Sequence, residues 1–408
     1  MSLHLSRISR GKLTSHGGGS CPIVGQSFFR GSPNTSYDLA KSRRHQFSTT
    51  TRCQQSKTAD PQAIATAFLE KFSNGQSFVR RQLLDANQLR LFSLTLNRAH
   101  LWPSSEVLRA KTLEEVEPKQ GTPVPAGYHL AYFTPAQLPG VLGLDGTDAS
   151  FNPEAPFTRR MWAGGECEWP GAGPVVGGGA GSDTRAYLRV GEVATEVTKV
   201  LSCEVKRIKK TGEDMLVVGV EKEFRNGKDE LCVLDRRNWV FRPAFDPAKP
   251  APQVAKPDEL SKTELEQQAQ GKIVRHYNRD ETTLFRFSAL TFNGHRIHYD
   301  KPWATQVEGH RNIVVHGPLN LIAMLDLWRD ETLHQGVGSG RGGGGAEGEA
   351  EGSLVYPKKV EYRATSPVYA GEGYRVMMND DAVGSQVAEV QVISDDGTVC
   401  MKGKISDW

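Results

Sequence analysis

The sequence predicts an α+β chain in which one β-rich unit occurs twice, as two curved antiparallel sheets with a long central helix in the C-terminal copy alone. Three observations carry this. First, Tyr187-Leu188-Arg189-Val190-Gly191-Glu192 returns as Pro367-Val368-Tyr369-Ala370-Gly371-Glu372. Each is followed by a long alternating stretch, a hairpin turn at Asn226-Gly227 or Asp396-Gly397, and a last strand closing on Trp239 or Trp408. Second, Leu319 to Trp328 is helix-forming and apolar on nearly every side, so it must be buried all round. Third, we match that helix in the first copy to Glu166-Cys167-Glu168-Trp169-Pro170-Gly171, where Pro170 and the glycines forbid a long helix.

In chain order, residues 1–57 hold nine Lys or Arg against one acid, Asp38, and are rich in Ser, Thr and Gly. A basic, acid-poor leader is drawn across a membrane that is negative inside, so this segment reads as a mitochondrial targeting leader, disordered, with a cleavage neighbourhood at Arg43 to Ser48. Residues 58–120 read as a helical lead-in. Asp60-Pro61 is a start signal, Ala63, Ala67, Phe68 and Phe72 make one apolar face, and Leu83, Leu84, Leu91 and Leu94 make a second over Arg80 to Arg98. Residues 121–250 form the N-terminal unit, with Tyr128 to Phe133 as a strand, and residues 251–408 form the C-terminal catalytic unit, with a strand-like run from Leu284 to Phe292. Gly171 to Gly181 and Gly336 to Gly352 are low-complexity inserts that cannot pack a core and read as mobile surface loops.

Composition narrows the function. The formal net charge is +3, and without the basic leader the body is near neutral or acidic, which gives no nucleic-acid surface. Six cysteines lack metal-ligand spacing and fit reduced structural thiols, and no run approaches the length of a membrane span.

The chemistry concentrates between Thr291 and Trp328. His295, His298, Tyr299 and Asp300 crowd together, and His316-Gly317-Pro318 opens the buried helix. Pro318 suits the first turn, and the Gly317 amide then sits at the positive end of the helix dipole, where it can stabilise a carbonyl oxygen turning into an enolate. A metal reading of His295, His298, Asp300, His310 and His316 is disfavoured, because the flanking residues are poor helix formers and the two motif histidines then diverge.

FNGHRIHYD followed by VVHGPL resembles the hydratase 2 (MaoC-like) motif of hot dog enzymes, and more closely the fungal mitochondrial type 2 hydroxyacyl-thioester dehydratases and the mesaconyl-CoA hydratases. The resemblance is specific over residues 280–330 and looser over 125–245 and 355–408. The motif histidine falls on His298. The motif's aspartate, asparagine and proline positions hold Asn293, His295 and Arg296 instead.

This resemblance implies a tandem double hot dog and a hydro-lyase that interconverts (3R)-3-hydroxyacyl and trans-2-enoyl thioesters in mitochondrial type II fatty-acid synthesis. It needs no cofactor and no metal, and its substrate is carried on acyl carrier protein or CoA. His298 and Asn293 are the implied catalytic residues and Gly317 the oxyanion donor. Arg296, Tyr299, His316 and Trp162 are candidates for substrate contact, and Arg160 could face the same channel. Because Asn293 cannot take a proton, either His298 does both transfers or Asp300 or a nearby group replaces the carboxylate; Asp300 reads better as a loop anchor. The alternatives are a hydratase of a short dicarboxylic acyl-CoA, with Arg296 on the second carboxylate, and a non-catalytic acyl-thioester binding protein. A homodimer and a monomer with an internal pseudo-dimer both fit.

Overall fold

Ten strands form one continuous antiparallel sheet in the computed structural model, which describes residues 60–102, 112–173, 185–209, 211–338 and 354–408. The strands are β1 (Phe78–Leu83), β2 (Arg159–Glu168), β3 (Val193–Arg207), β4 (Asp214–Arg225), β5 (Leu231–Arg242), β6 (Lys272–Asn278), β7 (Lys359–Ala364), β8 (Gly373–Asn379), β9 (Val387–Ser394) and β10 (Val399–Ser406). Their order, β1-β3-β4-β5-β2-β7-β10-β9-β8-β6, is the same five-strand pattern read outward twice from the middle. β2 and β7 meet at that middle, with Glu166 opposite Glu361. Two like charges in register would repel, and Lys359 bridges them at 2.6 and 3.4 Å. The architecture is therefore a tandem double hot dog, its two sheets joined edge to edge.

The repeat extends further than the strands. β1 runs into α2 (Ala86–Thr95) as β6 runs into α4 (Glu281–Leu290), each helix capped by an aspartate, Asp85 or Asp280. The two helices meet through Phe92 and Phe287, ring centroids 5.5 Å apart. Pro123 bridges to Arg189 and Val314 to Tyr369, which places the two copies of the sequence repeat at equivalent points.

The central helix is α5 (Gly317–Gly338). Leu319, Ile322, Met324, Leu325, Leu327 and Trp328 are all buried against β8, β9 and β10. Gly403 admits this approach, since a Cβ there would fall 2.2 Å from the Met324 methyl. In the first copy the equivalent chain makes one 3-10 turn, Tyr128–Ala131, whose leading Gly127 packs on Leu325 and Ile322. One helix thus serves both copies. A shorter helix, α1 (Pro61–Phe72), covers the far end of the first sheet through Ile64, Phe68 and Phe72, and α3 (Lys262–Ala269) precedes β6.

Several expectations need correcting. Tyr128 to Phe133 is no strand, because Gly127 turns the chain with φ +85° and the following residues coil against α5. Leu284 to Phe292 is mostly helix, since the Asp280 cap and the α2 contact outweigh its β-favouring residues. The lead-in carries α1 and α2 but also β1, which pairs with β3 as an edge strand. Glu166 to Glu168 is the end of β2 and not the counterpart of the helix. Residues 1–57, and most of both glycine-rich inserts, lie outside the described residues. No helix among the described residues is long and apolar enough to cross a membrane.

Candidate active site

His298 is positioned by a tight sequence of turns between α4 and α5. After α4 ends, the Asn293 N–H donates to Ser288 O at 2.8 Å, and Phe292 takes a left-handed φ of +49°. The Asn293 side chain then accepts from the His295 N–H at 3.0 Å and closes an Asx turn. A 3-10 turn, Arg296–His298, delivers the His298 ring to a buried place beside the start of α5. There Nδ1 lies 2.7 Å from Val314 O. A carbonyl can only accept, so Nδ1 carries the proton and Nε2 is left as the basic atom of a neutral imidazole. Burial, with His295 nearby, lowers the pKa of His298 to about 3. His316 stacks on it at 3.6 Å, reaches Ser288 Oγ at 2.9 Å through Nε2, and is pushed well below the ordinary histidine value by its own burial.

A second histidine is held differently. The His295 ring meets His298 edge-on at 5.4 Å, and its buried Nε2 has no hydrogen-bond partner among the described residues. That atom lies 3.8 Å from Asp145 Oδ2 and 3.9 Å from Glu308 Oε1. Glu308 is itself buried and takes the Trp303 indole N–H at 2.7 Å; burial alone would raise its pKa, yet His295 and that indole lower it. Asp145 comes from the first copy, on a loop whose backbone packs tightly against the Asn293-Gly294-His295 turn. Arg296 N donates to Asp145 O at 2.8 Å, and a Cβ on Gly146 would collide with Gly294 O. Sequence reading missed Asp145, Glu308 and Ser288. Only the fold brings them here, although Glu308-Gly309-His310 lies close to the motif.

The remaining candidates divide. The Gly317 N–H leads α5 and has no protein acceptor among the described residues. Trp162 of β2 lies so close that a Cβ on Gly317 would fall 2.4 Å from its ring, and it stacks on Tyr362 at 4.6 Å. Tyr299 is half exposed, and its hydroxyl donates to Gly294 O. Arg296 does not face the cavity; its guanidinium is bound to Asp300 at 2.7 and 2.9 Å and lies 4.0 Å over Trp303. Asp300 also takes the Trp303 N–H, so it anchors the loop and does not replace the motif carboxylate. The five residues weighed for a metal do not converge. The one cluster of metal-type ligands among the described residues is His129, Cys167 and Asp235 in the first copy, where the Arg237 guanidinium already pairs with Asp235.

A family profile described as hydroxyacyl-thioester dehydratase type 2 matches residues 127–370. The chain belongs to this family. It is accordingly a hydro-lyase. Among curated relatives, the mesaconyl-C(4)-CoA hydratase of Chloroflexus aurantiacus is 31% identical over 57% of this chain and 74% of its own. The mitochondrial hydroxyacyl-thioester dehydratase type 2 of Schizosaccharomyces pombe is 23% identical over 64% of this chain and 79% of its own. Similar solved structures include a MaoC-like dehydratase from Phytophthora capsici, at 14% identity and TM-score 0.47, covering 82% of this chain and 95% of that one. A Mycobacterium tuberculosis protein described as a double hotdog has 14% identity and TM-score 0.44, covering 83% of this chain and 97% of that one.

In this dehydratase the site opens into a cavity of about 1970 Å³. Asn293, His295, His298, Glu308, His316 and Gly317 line one side, and the inner face of the first sheet lines the other. The space lies where the first copy makes a single turn instead of a second long helix.

Proposed function

We propose that His298 and Gly317 carry the reversible removal of water from 3-hydroxyacyl thioesters, with His295 as the second proton carrier. In the dehydration direction the neutral His298 Nε2 takes the α-proton and the C–H electron pair enters the enolate. Its oxygen is held by the Gly317 N–H at the positive end of α5. The enolate pair then forms the α,β double bond as the β-hydroxyl leaves with a proton from His295, and the product is the trans-2-enoyl thioester plus water. Asp145 and Glu308 are placed to pair with a protonated His295 and so take the part that the motif's aspartate would play. Asn293 shapes the turn through its side-chain oxygen and acts on the reaction by holding His295. The observation that supports this reading most directly is the pinned tautomer of His298 at the mouth of a buried helix.

The handedness, (3R), and the carrier follow the resemblance. The basic composition of residues 1–57 and the mitochondrial relative support a place in the matrix. Mitochondrial fatty-acid synthesis is one pathway such an enzyme would serve, and hydration of a short dicarboxylic thioester is the other use the relatives suggest. The test is a steady-state assay on crotonyl-CoA, a medium-chain trans-2-enoyl-CoA and mesaconyl-CoA. His298→Ala should cut kcat by about 10²–10⁴-fold while leaving the fold intact. His295→Gln should lose hydration but retain α-proton exchange into solvent deuterium. Full turnover by His298→Ala would overturn the assignment.

A further inference from the structure

The cavity beside Gly317 extends past Trp162 over the inner face of the first sheet. That face is not a hydrocarbon surface. On β4 the inward positions read Leu216, Val218 and Val220, then Lys222, then Phe224. On β3 the same level holds Thr198 and Glu196 between Val200 and Ala194, and on β5 it holds Arg237 and Asp235 between Trp239 and Val233. A band of buried charge therefore crosses three strands and separates two apolar clusters. Lys222 Nζ lies 3.0 Å from Glu196 and 3.1 Å from the Thr198 hydroxyl, and Arg80 holds Glu196 at 2.8 Å. Arg237 pairs with Asp235 through Nε and one terminal nitrogen. Arg160, two residues before Trp162 on β2, reaches Asp148 at 3.4 Å and lies 5.0 Å over Trp239.

Buried ions are retained against a desolvation cost, and the donors they leave open indicate what they can receive. In this band the largely buried cations Arg160, Lys222 and Arg237 stand against Glu196, Asp235 and Asp148, and Arg80, 41% exposed, reaches Glu196 from the rim. Both Glu196 oxygens are engaged, whereas the second terminal nitrogen of Arg237 and most of the Arg160 fork donate to no protein group among the described residues. Arg160, Lys222, Arg237, Trp162 and Trp239 all line the cavity. Beyond them α1 packs on the sheet through Ile64, Phe68 and Phe72.

We propose that this charged band is the acyl-terminal subsite, and that the enzyme acts on thioesters of acyl groups ending in a carboxylate, held by Arg160, Lys222 and Arg237. The proposal rests on the hydratase reading for its reaction but not for its binding. Glutaconyl-CoA and trans-2-pentenoyl-CoA, which match in length and differ in the terminal carboxylate, separate the two. The full chain should favour glutaconyl-CoA in kcat/KM by about tenfold or more, roughly what one well-placed charge contact contributes. Arg160→Gln and Lys222→Gln should each bring that ratio towards one; Arg80 remains to pair Glu196 when Lys222 is changed. Equal or better use of pentenoyl-CoA, or a preference that survives both variants, would overturn the subsite. Calorimetric Kd values for the two thioesters on His298→Ala decide the subsite without turnover and should show the same preference; equal affinities would refute it. Absence of wild-type turnover on every thioester would instead sink the hydratase reading.

Discussion

At the scale of single residues, His298 and the neighbouring His295 have been given opposite surroundings. His298 is buried, neutral and tied by Nδ1 to a carbonyl, whereas His295 faces two carboxylates. The first has a consequence for stability. The pKa of His298 in the folded chain, about 3, lies below the ordinary value of about 6.5. Between those pH values the unfolded chain binds a proton that the folded chain refuses. The stability of the neutral form is thus complete above pH about 6.5 and is lost as pH falls towards about 3, by up to about 1.4 kcal/mol per pH unit. Urea midpoints measured from pH 7 to 4 should fall less steeply in His298→Gln than in the parent; identical slopes would contradict the buried neutral ring. Asn293→Asp probes the other side of the site. A carboxylate can still accept the His295 N–H, so the turn should survive and activity should hold or rise. A large loss of kcat would show that the amide N–H₂ is itself used.

Among the elements, α5 and β2 depend on each other. The helix presents its first N–H only because Gly317 has no Cβ, and Trp162 occupies the space a Cβ would take. Gly317→Ala must push Trp162 aside or tilt the first turn, and either movement spoils the donor. We expect kcat to fall by about 10²-fold with a modest change in Tm, in line with the loss of one oxyanion donor. Trp162→Leu in the same chain should recover part of the rate. If Gly317→Ala is fully active, the helix entrance is not the oxyanion site. Gly403 makes a comparable accommodation on β10, where an added methyl would meet Met324 and destabilise the helix-on-sheet packing by about 1–3 kcal/mol.

For the molecule as a whole, the two copies share the larger of two buried clusters. Tyr128, Tyr187 and Val233 of the first copy lie in the same buried cluster as Leu325, Val390 and Met401 of the second. Arg98, which follows α2, closes on Asp326 and Asp330 of α5 at 3.7 and 2.7 Å. The first sheet has no long helix of its own and borrows α5, so neither half has a complete core without the other. Urea unfolding followed by tryptophan fluorescence and by far-ultraviolet circular dichroism should therefore coincide in one transition. Two separated transitions would mean that the copies fold independently.

Much of this was legible in the chain. The repeat at Tyr187 and Pro367, the all-apolar run after Pro318, and the His298 and His316-Gly317 spacing depend on local pattern and on the chemistry of neighbours in sequence. They determined the double architecture and the buried central helix, and they singled out His298 as the candidate for proton transfer; the place where the first copy lacks its helix was misread at Glu166 to Gly171, where β2 ends. Local pattern could not decide between helix and strand at Leu284 to Phe292, where a cap and a partner helix override the β-favouring residues, nor at Tyr128 to Phe133, where Gly127 turns the chain. It also misread Arg296, whose charge is already satisfied by Asp300 one turn away. Only the tertiary structure brought Asp145 of one copy to His295, because it lies far away in the chain, and turned the nearby Glu308 of the other copy to the same ring, which no local pattern marks. It alone aligned Glu196, Lys222 and Asp235 on one face of three strands, since a strand's register decides which of its charges turn inward and what they meet there.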